Sequence, residues 1–218
     1  MEQIRKIEIM QDIHAENDEI ATQINKDLTT RGVYVINVMG APGAGKTSSL
    51  INIIKSLEGL KAYVIEGDIE SDIDTKTLLQ LGVETMQINT GGACHLDSPM
   101  IKKATDSFEF DEKGILFIEN IGNLVCPAEF VIGEHIKLLI CTVTEGSDKP
   151  YKYPLAFEKA DIILINKIDL KPYLDFDEKF FYEGVRALNK TVQVFEVSCR
   201  TGEGFKDVVE WITNKAIS

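Results

Sequence analysis

Gly40-Ala41-Pro42-Gly43-Ala44-Gly45-Lys46-Thr47 fits the pattern G-x-x-x-x-G-K-[ST], and its surroundings decide the fold. An apolar run, Val33-Tyr34-Val35-Ile36-Asn37-Val38-Met39, leads into it, and a helical pattern from Ser48 to Leu57 follows. Strand, glycine loop and helix in that order make a phosphate cradle. Glycines let backbone N–H groups approach phosphate oxygens, and the helix N-terminus adds partial positive charge. Gly40, Gly43, Ala44, Gly45 and Ser48 form the cradle, Lys46 reaches the β- and γ-phosphates, and the Thr47 hydroxyl sits on Mg²⁺.

Asn166-Lys167-Ile168-Asp169 ends a second strand-like run, Ile162-Ile163-Leu164-Ile165, so its polar groups emerge at a strand's carboxyl end. A carboxylate at Asp169 can accept from both N1–H and the N2 amino group of guanine. Adenine presents an unprotonated N1 there and is repelled. Asn166 can tie the base loop to the phosphate loop, and the stem of Lys167 can cover the base. Ser198-Cys199-Arg200, at the end of Val192 to Val197, is placed to offer backbone N–H groups to guanine O6. In register with a phosphate loop, this set predicts GTP and GDP as ligands.

The chain has 218 residues, 44% hydrophobic and 27% charged, which suits one α/β domain with a full core. No apolar run approaches the roughly 18 residues of a membrane span. Met1 to Met10 lacks the apolar region of a signal peptide, so a cytoplasmic protein is expected. A net charge of −12 argues against nucleic acid or anionic membrane as the main partner. Four cysteines in such a chain do not suggest a disulfide framework.

Ile4, Ile7, Met10, Ile13, Ile20, Ile24 and Leu28 form a helical stripe with a charged opposite face. Residues 1–30 are therefore expected to be an amphipathic helix packed on a phosphate-loop domain spanning 31–218. From Val33 onward strand patterns recur at Ala62–Glu66, Thr85–Ile88, Ile115–Ile118, Ile136–Val143, Asp161–Ile165 and Val192–Val197. Helices are expected near 48–58, 72–81, 95–105, 175–189 and 203–215. The alternation predicts an α/β fold: a doubly wound, mainly parallel sheet flanked by helices, with loops gathered at its carboxyl edge.

Ile115-Leu116-Phe117-Ile118 ends in Glu119-Asn120-Ile121-Gly122. Glu119 can hold Mg²⁺ through water, and Gly122 can turn its N–H toward a γ-phosphate. Asn123 follows, so a glutamine of the kind that orients water in Ras-type GTPases is absent. Asp68 closes another strand run, a good position for Mg²⁺ or water activation. Asp72 and Asp74 read equally well as acids complementing a helix N-terminus.

Cys94 and His95 follow Gly91-Gly92 near an expected helix start, where a thiolate is favoured, and Cys126 lies just past Gly122. Two thiolates and an imidazole suit Zn²⁺ or Ni²⁺. On spacing alone, buried structural cysteines read as well. Three ligands leave a tetrahedral site one short, to be completed by water or a second subunit. Cys141 reads as core and Cys199 as a loop residue; His14 and His135 read as solvated or capped, and Lys149 and Lys152 as surface lysines.

Taken together, Gly40–Thr47, Glu66-Gly67-Asp68, Asn89 to Asp97, Phe117 to Ala128, Thr144-Glu145-Gly146 and Asn166–Asp169 resemble the HypB family of nickel-handling hydrogenase-maturation GTPases. The resemblance covers nearly the whole chain from about residue 30; the stretch Glu119 to Ala128 with the Cys-His pair is its specific part. It implies a GTPase working as a nucleotide-linked homodimer, with Cys94, His95 and Cys126 as a Ni²⁺/Zn²⁺ site at the dimer interface; with no glutamine or arginine finger visible in cis, slow turnover is expected of the monomer. By the same resemblance Asp68 and Glu119 serve Mg²⁺, and Asp74 matches an aspartate of the first switch. Partners implied are a HypA-like metallochaperone and the large subunit of [NiFe]-hydrogenase. Three departures stand out. These residues include no Cys-rich or His-rich nickel tract, Thr77 stands where relatives carry an arginine, and Ala41 replaces the extra phosphate-loop lysine of some dimeric relatives. A urease-type nickel GTPase similar to UreG fits the stretch Glu119 to Cys126 less well. A non-catalytic GTP-sensing metal-binding module is the reading from a different class, separable by single-turnover hydrolysis.

Overall fold

In this computed structural model, which describes residues 9–67 and 77–217, β1 (Val33–Gly40) is buried along nearly its whole length. It lies at the centre of a seven-stranded sheet with β2 (Lys61–Glu66), β3 (Glu84–Gln87), β4 (Gly114–Glu119), β5 (Ile136–Thr142), β6 (Ile162–Asn166) and β7 (Gln193–Glu196). The order is β3-β2-β4-β1-β5-β6-β7, and each pairing is parallel. β4 and β6 are buried at every position, which is why they read as continuous apolar runs rather than alternations.

Period-2 geometry sends alternate β1 side chains to opposite layers. Ile36 and Val38 pack with Leu50, Ile53 and Ile212, the apolar faces of α2 (Lys46–Lys55) and, at the end of the chain, of the helix Phe205–Ala216. Val33 and Val35 pack with Ile24, Leu28 and Ile101, from α1 (Ile9–Thr30) and α3 (Ser98–Asp106). Three short helices follow in chain order: α4 (Cys126–Glu129), α5 (Lys149–Lys152) and α6 (Pro154–Lys159). Then α7 (Glu178–Leu188) covers the β5–β6 side through Phe181 and Val185, and α8 (Phe205–Ala216) completes the layers.

Element ends differ from the sequence pattern for local reasons. The helix expected near 95 begins at Ser98, because the Asp97 side chain accepts from the Met100 N–H and Pro99 occupies the first turn. The fifth strand stops at Thr142, whose side chain and that of Glu145 form a capping box on a 3₁₀ turn. α4, α5 and α6 were not expected at all. Each has six residues or fewer and a proline in its first turn, too short for a periodicity to register. Of the expected helix near 72–81 only its end lies among the described residues, where Leu78 is buried in the core. Asp68, Asp72 and Asp74 lie outside the described residues.

At the start of β5 lies a buried ion pair. Lys137 Nζ lies 2.5 Å from Glu134 Oε1, with side chains 9% and 4% exposed. Lys137 Nζ also donates to the Phe130 carbonyl at 2.7 Å, and Glu134 Oε2 accepts the Ile132 N–H at 2.6 Å. Truncating one member leaves the other as an uncompensated buried charge. Glu134→Ala is expected to lower stability by about 3–5 kcal/mol, read from urea denaturation. A loss under about 1 kcal/mol would mean that the pair behaves as a solvated surface bridge.

Candidate nucleotide and metal sites

The carboxyl ends of β1, β4 and β6 meet at one edge of the sheet, so Gly40–Thr47, Glu119–Gly122 and Asn166–Asp169 converge. Gly43 and Gly45 take φ of 74° and 88°, and a Cβ on Gly45 would lie 2.5 Å from Asn166 Nδ2. Glycine at 45 thus satisfies both a left-handed backbone and a close approach. Lys46 opens α2 with only 5% of its surface exposed. Thr47 Oγ1 donates to Glu119 Oε1 at 2.9 Å. A hydroxyl and a buried carboxylate held together at a phosphate loop are the donor set that a hard divalent cation such as Mg²⁺ takes, so these residues fit it. Glu66 pairs in register with Glu119 and is also buried; its place beside the switch was not anticipated from the sequence.

Asn166 joins the loops as expected: Nδ2 donates to the Ala44 carbonyl at 3.0 Å, and Oδ1 accepts from Lys167 N at 2.7 Å. Lys167 Nζ donates to the Gly43 carbonyl at 2.8 Å. Asp169 is held by the Ser198 hydroxyl, 2.6 Å from Oδ1. Asn166, Lys167 and Asp169 line a cavity of about 400 Å³ together with Gly45, Ser48, Cys199 and Arg200. The sequence reading offers the backbone N–H groups of Ser198 and Cys199 to guanine O6. Both backbone N–H groups are engaged within the protein, Ser198 N with the Glu203 carbonyl at 3.1 Å and Cys199 N with Asn166 Oδ1 at 3.2 Å. The Cys199 thiol lies 3.2 Å from Ser49 Oγ, and burial pushes its pKa up.

Cys94, His95 and Cys126 present one sulfur, one ring nitrogen and one sulfur within 4.8 Å of one another. The sulfurs are 3.2 Å apart, and Cys94 Sγ is 3.4 Å from His95 Nδ1. The expectation of a helix-stabilised thiolate is not met. α3 starts only at Ser98, and the hydrogen bond with Cys126, followed by burial, raises the Cys94 thiol above its ordinary value. Burial lowers the pKa of His95, favouring the neutral imidazole that ligates metals. Two sulfurs and a neutral imidazole fit a borderline-soft cation such as Ni²⁺ or Zn²⁺, with thiol protons released on binding.

Asparagines that sequence reasoning passed over connect the two sites. Asn123 forms an isolated bridge with Gly40, the first residue of the phosphate loop. Its Nδ2 donates to the Cys94 carbonyl at 3.2 Å, and its Oδ1 accepts from Val125 N, beside Cys126, at 2.9 Å. Fully buried Asn120 accepts at Oδ1 from Leu96 N and Ile121 N, at 3.1 and 2.9 Å, and its Nδ2 donates to Asn37 on β1 at 3.2 Å. Gly122 packs on the phosphate loop, where a Cβ would come within 2.9 Å of Pro42 Cγ. The only sequence signal was asparagine at a strand end beside glycine, which has many uses.

Of the remaining residues, Cys141 is core. His135 is capped, its Nδ1 accepting from Val35 N at 2.9 Å, and His14 stacks on Phe130. Lys152 is a surface residue, but Lys149 is largely buried, 3.3 Å from Glu145 and 5.0 Å from the Tyr153 ring centroid. No helix among the described residues is long and apolar enough to cross a membrane.

A family model, CobW/HypB/UreG, nucleotide-binding domain, matches residues 34–196. The chain is 42% identical over 213 residues to the hydrogenase maturation factor HypB of Rhizobium leguminosarum bv. viciae, covering 97% of this chain and 71% of that protein. A crystal structure of HypB from Helicobacter pylori in complex with nickel superposes with a TM-score of 0.87 at 34% identity, covering 92% of this chain and 95% of that one. That of HypB from Archaeoglobus fulgidus gives 0.87 at 32% identity, covering 93% and 99%.

Proposed function

This chain belongs to the HypB branch of the CobW/HypB/UreG family, and on that premise we propose that it is a GTP-hydrolysing nickel metallochaperone for [NiFe]-hydrogenase. The observation that carries the reading is the convergence at one sheet edge. A base cavity lined by Asp169 and a Cys-His-Cys cluster both attach to the phosphate loop, the first through Asn166 and the second through Asn123.

In this reading Lys46 and the loop amides of Gly43 to Ser48 hold the β- and γ-phosphates, while Gly122 senses the γ-phosphate. Thr47 and Glu119 hold Mg²⁺, which supplies charge neutralisation on the phosphate oxygens; Asp68 and Asp74, from their resemblance to family positions, complete the metal and switch set. Water attacks the γ-phosphorus, the bond to the bridging oxygen breaks, and GDP and phosphate leave. No glutamine follows Gly122, so the monomer lacks an oriented water and turns over slowly. Nickel is cargo, held by Cys94, His95 and Cys126. A second copy of the chain completes the coordination in a GTP-linked homodimer, with Zn²⁺ as the competing occupant. The cargo comes from a HypA-like metallochaperone and goes to the hydrogenase large subunit, in the cytoplasm.

Single-turnover hydrolysis of GTP, ATP and XTP, with and without Ni²⁺, tests the reading; preference for ATP, or Ni²⁺ without effect on any nucleotide step, would overturn it. Guanine selectivity is expected to rest on Asp169. Asp169→Asn removes the paired acceptor and should move preference toward XTP, since a mismatched polar edge costs about 1–3 kcal/mol, or roughly tenfold to hundredfold in affinity. Full retention of GTP preference would remove the base-reading role.

A further inference from the structure

One side chain of α1 joins the two separate segments that carry the cysteines and histidine. Asn17 is 4% exposed. Its Oδ1 accepts the Ser98 N–H at 2.9 Å, and its Nδ2 donates to the Val131 carbonyl at 2.8 Å. Fully buried Ser98 donates back from its hydroxyl to the Asn17 carbonyl at 2.6 Å. Ser98 opens α3 directly behind the Cys94-His95-Leu96-Asp97 run, while Val131 follows the Cys126–Phe130 run. The amide of Asn17 therefore spans the gap between the two ligand-bearing segments.

The same helix touches the site a second time. The His14 ring stacks on Phe130 at 4.7 Å between centroids, and Phe130 stacks on His95 at 4.1 Å. Further along α1, Asn25 donates to the carbonyls of Gly133 and Glu134 at 3.2 and 3.3 Å. A Cβ on Gly133 would lie 2.6 Å from Ile24 Cγ2, so helix and segment run in close contact. Coordination tolerates errors of only about 0.2 Å in ligand distance, so a site on two loops needs a rigid element to fix their separation. None of these α1 groups lines the cavity formed by Asn166, Lys167 and Asp169.

We propose that α1 is a positioning element for the metal site, with Asn17 setting the spacing between the Cys94-His95 loop and the Cys126 segment, so that metal loading and α1 docking are linked. This rests on Cys94, His95 and Cys126 being the metal ligands. Linkage is reciprocal: if the docked helix strengthens metal binding, bound metal must strengthen docking by the same factor. Asn17 acts through the loops and is not itself a ligand.

The test uses the full chain, as wild type, Asn17→Ala and Cys126→Ala, titrated with Ni²⁺ and with Co²⁺ as a spectroscopic probe, with GDP affinity as the control. Asn17→Ala is expected to bind Ni²⁺ about tenfold or more weakly and to shift the Co²⁺ visible bands, while GDP affinity stays at the wild-type value. Hydrogen exchange supplies the reciprocal readout: Ni²⁺ should slow amide exchange along α1 in the wild type and not in Cys126→Ala. Wild-type Ni²⁺ affinity and Co²⁺ spectrum in Asn17→Ala would overturn the proposal. Should Cys126→Ala also keep wild-type affinity, the metal site itself is misassigned; if only Cys126→Ala loses metal, the clamp alone fails. If Asn17→Ala does not fold, the wild-type exchange decides, and absence of Ni²⁺-dependent protection in α1 overturns the linkage.

Discussion

Lys46→Ala is expected to reduce single-turnover GTP hydrolysis by about 10²–10³-fold or more, the scale of losing one preorganised group that stabilises transition-state charge. The side chain opens α2, where the helix N-terminus and the left-handed Gly45 aim backbone amides at the same place. A residue that is 5% exposed also packs: its Cγ lies 3.4 Å from where a Cβ on Gly40 would sit. The alanine variant therefore loses stem contacts as well as charge, so the measurement is paired with Lys46→Met, which keeps most of the volume. Both should fold, by circular dichroism and by retention of Ni²⁺ binding, and both should be inactive in phosphate release. A Lys46→Met variant with wild-type turnover would take this chain out of phosphate-loop chemistry.

The contrast between Lys46 and Asn123 shows what a single sequence discloses. The loop around Lys46 was legible because its chemistry demands contiguous residues: glycines, a lysine and a hydroxyl within one turn between a strand and a helix. The parallel sheet was legible for a related reason, since strands covered on both faces are written as apolar runs such as Ile162-Ile163-Leu164-Ile165. Asn123, Asn120 and Asn17 gave no such signal. Each acts by hydrogen bonds to backbone groups of segments far away in the chain, and an asparagine in that role looks like any loop or helix-surface asparagine. Ser198 and Cys199 were located at the base cavity from their strand end, yet their hydrogen-bond directions depend on Asn166 and Glu203, which local pattern does not encode. Cys94 illustrates the same limit. Its neighbour in space, Cys126, hydrogen-bonds it and raises its pKa, a contact that local pattern does not disclose.

Cys126→Ala is expected to abolish tight Ni²⁺ binding, and in the intact protein Ni²⁺ affinity should differ between the GDP and GTP states. In the proposed Cys94-His95-Cys126 set, losing one of three ligands should cost more than the roughly 10–100-fold typical of outer-shell partners. The state dependence follows from the connection through Asn123. Gly40 begins the phosphate loop and bridges Asn123, whose amide holds the Cys94 carbonyl on one side and the Val125 N–H on the other. Gly122, packed on Pro42, is expected to move when a γ-phosphate is present, and Asn123 cannot keep both contacts unless the two cysteines move with it. Cys94 and Cys126 would then meet the metal in one geometry with GTP and another with GDP, loading in one state and releasing in the other. Coupling of this kind is typically about 1–3 kcal/mol, or 5–150-fold, and Ni²⁺ must alter nucleotide affinity by the same factor. The measurement is Ni²⁺ and Zn²⁺ titration of the apo, GDP and non-hydrolysable-GTP forms, repeated in Cys126→Ala. Equal affinities in all three forms would sink the coupling while leaving the ligands in place. An unchanged affinity in Cys126→Ala would sink the ligand assignment, because no rearrangement of the switch could then act on the metal through that cysteine.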